Sequence, residues 1–163
     1  MFDCEHDVSK CPIFRVMNDH ERNAVLDLSE TLTFEAGEAV IAEGRSTPQG
    51  VWLIRSGHVE VVHSSVNGER QVNYLGSGAI FGEVSFFDPQ DHSATIRVVE
   101  SANMFFFPAE NFQVLMEQCP SAAHQLLLNL GRLLAQKLRK IDKRLINELL
   151  VTSETVSATP PGR

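Results

Sequence analysis

The stretch Phe81-Gly82-Glu83-Val84-Ser85-Phe86-Phe87, followed shortly by His92-Ser93-Ala94-Thr95, holds the residue types of a cradle for a sugar and an anion. Gly82 lets backbone approach a guest closely, and Glu83 offers a carboxylate that accepts two hydroxyl donors. A short helix opening at this point would turn free amides toward an anion. Where an arginine would neutralise that anion, the sequence has His92. Neutral histidine offers one donor and no charge at pH 7, whereas arginine is permanently charged and grips phosphate with two parallel donors. Asp88 and Asp91 would repel a phosphate, and they would also favour protonation of His92.

Other reactive side chains are sparse. Cys4, Glu5, His6 and Cys11 are possible metal ligands, but no Cys-x-x-Cys pair is present and a fourth ligand would have to come from elsewhere. The alternative is a loose N-terminus with free thiols. Three cysteines, Cys119 being the third, do not read as a disulfide framework. His58, His63 and His124 have no ligand spacing. There is no Gly-x-Ser-x-Gly elbow, P-loop or His-Glu-x-x-His, and no pair of carboxylates in a plausible cleft, so no enzyme, metal or resident cofactor is expected.

The elements that must position the cradle follow from periodicity. Residues 1–11 read as a loose leader. Asn18 and Asp19 can cap a short helix, with Glu21 in its first turn and Ala24, Val25 and Leu28 as its buried stripe. Eight of the ten glycines lie between positions 37 and 82. Turn signals this frequent, with β-branched and aromatic runs between them, indicate an all-β sandwich or barrel. The runs predict eight strands, 31–35, 39–43, 50–56, 58–65, 70–75, 79–82, 94–99 and 103–107. Asn67-Gly68 marks a hairpin turn and Ser56-Gly57 a second tight reversal. Phe105-Phe106-Phe107 fits a strand covered on both faces.

After Pro108 the period becomes helical. A short helix is predicted over 109–118, with Phe112, Leu115 and Met116 on one side. A long one opens at Pro120 and runs to about Leu150. Leu134, Leu138, Ile141 and Leu145 step by about 4, 3 and 4, the spacing of a coiled-coil seam. Gly131 continues that seam one step back, and Leu127 another. Residues 151–163, with Ser, Thr and Pro, read as a disordered tail.

Charge is uneven. Residues 1–120 carry seven Lys or Arg against eighteen Asp or Glu, and residues 121–150 carry six against two. The acidic body argues against a nucleic-acid surface, and the basic stretch reads as a solvated helix flank or a docking face for an acidic partner. The acidic start is unlike a signal peptide, and no run of about 18 apolar residues occurs, so a cytoplasmic protein without a membrane span is expected.

Four local matches bear a family resemblance: Phe34 to Gly44, Val51 to Val61, Phe81-Gly82-Glu83, and Ser93-Ala94-Thr95-Ile96-Arg97. In this order and spacing the chain resembles the cyclic-nucleotide-binding domain of the catabolite activator protein superfamily, over about residues 12–150. The resemblance implies an eight-stranded jelly-roll β-barrel (12–118) with a short N-terminal helix and a long C-terminal dimerisation helix (119–150). It further implies that Glu83 holds a ribose hydroxyl, that Gly82 presents backbone to the sugar, and that Ser93 and the Ala94 amide contact phosphate. Phe81, Val84 and Ser85 complete the cassette, and His92 takes the family's arginine position. The implied function is a regulatory module that binds cAMP, cGMP or a related nucleotide and signals through its C-terminal helices, as a homodimer or to a protein effector. The other reading is a degenerate domain kept for dimerisation and docking. Transcription factors of the superfamily carry a helix-turn-helix domain after the long helix. The thirteen residues after Leu150 are too few for one, so direct DNA binding is not expected. Arg97 is expected in a salt bridge on a strand surface, and Trp52 in the core. A redox or metal sensor built on Cys4, His6 and Cys11 is a third, weaker idea.

Overall fold

The computed structural model describes residues 7–157, and the side chains of residues 7–150. Two compact units are present, Met1–Leu130 and Gly131–Arg163. The boundary lies inside one helix rather than at residue 119, because the first turns of that helix pack with the sheet-bearing unit.

The first unit opens with two 3-10 turns, Val8–Lys10 and Pro12–Phe14. Cys11 between them is buried and disulfide-bonded, which corrects the expectation of a loose leader with free thiols at this position. Cys4 and His6 lie outside the described residues, and so does the core of the metal and redox reading. Helix α1 (Asp19–Asp27) starts on a capping box. Asn18 Oδ1 accepts the Glu21 amide at 2.9 Å, and Glu21 Oε2 accepts the Asn18 amide at 3.0 Å. Two of the helix's orphan donors are thereby satisfied, and the backbone hydrogen bond holds the Glu21 carboxyl below its usual range.

The strands are β1 (Glu30–Phe34), β2 (Ala39–Ile41), β3 (Gly50–Ser65), β4 (Gly68–Leu75), β5 (Ile80–Phe81) and β6 (Thr95–Pro108). They form one antiparallel six-stranded sheet in the order β1-β6-β3-β4, with β2 added to β6 and β5 to β3. The expected eight strands are therefore six, and the strand order does not close into the expected barrel. Ser56-Gly57 is not a reversal. Gly57, at φ +85°, lets β3 bend and continue, and a Cβ there would meet the Ser101 carbonyl oxygen at 2.4 Å. The β3–β6 register slips at this corner, between Ile54 and Val59. Core-facing positions change parity there, from Trp52 and Ile54 to Val59. An inserted residue of this kind bends a strand and looks in sequence like an ending.

The β3–β4 hairpin forms where predicted, but its turn residues are Val66 and Asn67. Ser65 pairs with Gly68, and Gly68 alone takes the positive φ. Trp52 faces Phe106 in register and stacks on it at 4.2 Å, with Phe34 at its edge. These rings and Phe81, Ile54, Val98 and Met104 form the core of the sheet. Of the three phenylalanines expected in a doubly covered strand, Phe106 and Phe107 are buried and Phe105 is half-buried.

Helix α2 (Glu83–Phe87) is one short turn, and α3 (Asn111–Gln118) buries Leu115 but leaves Met116 exposed. Helix α4 (Pro120–Ser157) buries Ala122, Ala123, Leu126, Asn129 and Leu130 along its first face. It runs seven residues past Leu150, since no Gly or Pro interrupts the chain before Pro160. The remainder of the expected tail, 158–163, lies outside the described residues. In the second unit Leu134 is half-buried, while Leu138, Ile141 and Leu145 are exposed. A Cβ on Gly131 would meet nothing within 4 Å.

Candidate functional site

Strand β5 ends at Phe81, and the chain turns into α2 through Gly82 at φ +81°, ψ −4°. Only glycine adopts this conformation routinely. The bare α-carbon is also required by space: a Cβ would lie 2.3 Å from the Gly50 carbonyl oxygen and 3.1 Å from Trp52 Cδ1. Glu83 follows directly and is only 3% exposed. Ser85 is buried too, its hydroxyl donating to the Gly82 carbonyl at 3.0 Å. Phe81 points into the core and lies parallel to Trp52 at 5.8 Å, so its side chain serves packing. Val84 is exposed. Phe86 holds the far end of α2 against Phe107 and Phe112.

The second half of the cassette is His92-Ser93-Ala94, just before β6. His92 is buried, and its Nε2–H donates to the Pro48 carbonyl at 3.0 Å. Its amide donates to the Arg45 carbonyl at 2.8 Å, and its own carbonyl accepts from Gly44 at 2.9 Å. Thr95 Oγ1 accepts the Glu43 amide at 3.0 Å. Ser93 is exposed and Ala94 half-buried.

One loop therefore joins the two halves. The segment from Glu43 to Gly50, between β2 and β3, is bonded to His92 and Thr95 at one end and packs its Gly50 carbonyl against Gly82 at the other. The predicted strands 39–43 and 50–56 leave 44–49 as their connection. The run Gly44-Arg45-Ser46-Thr47-Pro48-Gln49-Gly50 signals a loop in sequence, but not what it touches.

The charged groups around the site are largely committed. Arg97 Nε donates to Glu60 Oε1 at 2.7 Å and Nη1 to Glu69 Oε2 at 2.9 Å, the expected salt bridge on a strand surface. These bonds, the one to Glu60 first, raise its pKa. Glu43 Oε2 accepts the Ser64 amide at 2.7 Å, which holds its carboxyl below the usual range, and His63 Nδ1 lies 3.7 Å from Oε1. Arg55 lies over the Phe105 ring at 4.9 Å. Trp52 Nε1 is buried with no hydrogen-bond partner among the described residues, and the adjoining Cδ1 borders Gly82. Among the described residues no group of three His, Cys, Asp or Glu could hold a metal ion, and no helix is long and apolar enough to cross a membrane.

The pattern of the cyclic nucleotide-binding domain matches residues 31–119, and the chain belongs to that family. It is 30% identical over 135 residues to the cyclic AMP receptor protein of Thermus thermophilus, covering 82% of this chain and 60% of that protein. It is 27% identical over 92 residues to the cAMP-dependent protein kinase regulatory subunit of Mucor circinelloides, covering 56% of this chain and 21% of that one. The chain thus spans less than two thirds of either relative. The crystal structure of the Thermus thermophilus catabolite activator protein superposes with a TM-score of 0.72 at 28% identity, over 86% of this chain and 63% of that one. A cyclic nucleotide-binding domain from Methylobacillus flagellatus gives 0.77 at 21% identity, over 90% and 82%, a likeness of fold.

Proposed function

We propose that this protein is a non-catalytic sensor module that binds a cyclic nucleotide, cAMP or cGMP, at the Gly82–Ala94 cassette and reports occupancy through its C-terminal helices. The carrying observation is the burial of Glu83 beside Gly82, a glycine that sterics require. A buried carboxylate is tolerated only with donors around it, and ribose hydroxyls are donors of that kind. The Thermus relative, by name a cyclic AMP receptor, supports the ligand class. Ser93 and the Ala94 amide would meet the phosphate. Signalling would be differential: the ligand favours one arrangement of the helices over another by as much as it binds that arrangement more tightly. Calorimetric titration with both nucleotides tests this. Heat and a rise in melting temperature are expected, and the absence of both at millimolar ligand removes the sensor reading.

A second reading is favoured by one observation, the commitment of the His92 ring to the Pro48 carbonyl. A cassette whose arginine position serves the fold suits a docking and dimerisation module, with Leu127, Gly131, Leu134, Leu138, Ile141 and Leu145 as its seam. It predicts a stable dimer that ignores nucleotides.

A further inference from the structure

We propose that Arg45 supplies the cation of the anion subsite in the cassette, in place of the residue at position 92. The inference rests on the nucleotide-binding reading above and deepens it.

The cassette needs a positive charge. Asp88 and Asp91 flank it, and both are exposed in the turn that leads to His92. The His92 ring spends its Nε2–H on the Pro48 carbonyl and so holds the loop. Residues 31–119 contain no lysine and four arginines, Arg45, Arg55, Arg70 and Arg97. Arg97 is shared between Glu60 and Glu69, and Arg55 lies over Phe105 near Asn103. Arg70 stands opposite His63 in the β3–β4 pair, near the hairpin.

Arg45 is placed differently. Its carbonyl accepts the His92 amide at 2.8 Å, so its α-carbon stands beside the position where the cation is missing. Its loop continues to Gly50, whose carbonyl oxygen abuts Gly82, so the residue lies on a segment that touches both halves of the cassette. The side chain is exposed and forms no ion pair among the described residues. A long, flexible guanidinium there can fold over an anion held by Ser93 and Ala94 and grip two of its oxygens. The fold uses only the backbone of Arg45, so the side chain is available for the ligand.

The test compares the parent chain with Arg45→Ala and Arg45→Lys, titrating cAMP, cGMP, adenosine and inorganic phosphate, with the Arg45 Nε–H followed by NMR. For Arg45→Ala, nucleotide affinity should fall about ten- to hundredfold, the scale of one charge-assisted contact. Arg45→Lys should fall between, adenosine binding should not change, and melting temperatures should stay together. In the parent, the Nε–H resonance should move with nucleotide and with phosphate. Equal nucleotide affinity in the parent and Arg45→Ala overturns the Arg45 assignment and leaves the sensor reading standing. A response of Nε–H to phosphate without nucleotide binding supports Arg45 as an anion residue and overturns the nucleotide reading. Neither binding nor response overturns both.

Discussion

Asn129 donates from Nδ2 to the carbonyl oxygen of Ile13 at 2.8 Å, joining α4 to the segment before α1 across 116 residues of chain. The same nitrogen reaches the Arg15 carbonyl, also at 2.8 Å, and Asn129 is 1% exposed. Gln125 completes the set by donating to Asn129 Oδ1 at 3.1 Å. Replacing Asn129 by Ala should cost about 1–3 kcal/mol, because two carbonyls lose their donor in a dry place. Asn129→Asp should cost at least as much, since a carboxylate can only repel those carbonyls. Urea unfolding measures both, and a loss below about 0.5 kcal/mol would mean the bond is replaced by water.

Gly57 and Gly68 separate backbone conformation from sterics. Both have positive φ, +85° and +103°. A Cβ on Gly68 meets nothing within 4 Å, whereas on Gly57 it meets main chain at 2.4 Å. Gly68→Ala should lose about 1–2 kcal/mol, the cost of the left-handed region alone. Gly57→Ala should lose clearly more or fail to fold. Equal losses in denaturant melts would dismiss the corner as the reason β3 is one strand.

The Glu43 carboxyl titrates below its ordinary value, chiefly because it accepts the Ser64 amide, with His63 adding to the effect. A depressed carboxylate stabilises the fold fully above its unfolded pKa, near 4.3, and that contribution is lost as pH falls through the folded value. Stability of the parent should therefore decline on acidification below about pH 4.3, and Glu43→Gln should show a shallower acid limb. NMR titration of this carboxyl should give a midpoint under the ordinary range, and a midpoint at or above it would contradict the bond.

Glu83→Gln keeps the shape of the buried side chain and removes its charge. Nucleotide affinity should fall about ten- to hundredfold, as expected for a lost charged acceptor. The variant should still fold cooperatively, since a neutral amide is less costly to bury than a carboxylate. Unchanged affinity by calorimetry would release Glu83 from the site.

Leu138 and Ile141 are 59% and 60% exposed on one stripe of the second unit. Apolar side chains repeating at this spacing associate with a like stripe. The parent should sediment as a dimer, and Leu138→Glu combined with Ile141→Glu should sediment as a monomer with its first unit still folded. A parent that is monomeric at high micromolar concentration would rule out the seam.

Asn18 as the cap of α1 was legible in the sequence, with Glu21 read only as a favourable first-turn charge, and the return bond from the Glu21 carboxylate to the Asn18 amide was added by the structure. The hairpin at 65–68 was legible to within one residue, since Asn-Gly marks the turn but cannot say which residue takes the positive φ. Glycine spacing and period-2 runs placed most strand boundaries to within a few residues, and the linear order Phe81-Gly82-Glu83 to Ser93-Ala94-Thr95 marked the cassette. Gly57 was misread, because a bulge and a turn share the same glycine. The difference lies in Ser101, 44 positions away.

What the chain's residues determined alone was therefore local: caps, turns, the periods of burial and the residue types of the cassette. The tertiary structure decided that β3 runs on through the Gly57 corner, that β6 continues unbroken from Thr95 to Pro108, that His92 holds Pro48, and that the Gly44–Gly50 loop carries Arg45 alongside the cassette. Periodicity and turn chemistry act over a few residues. The partner of a buried imidazole is chosen by which distant carbonyl the folded backbone brings within 3.0 Å.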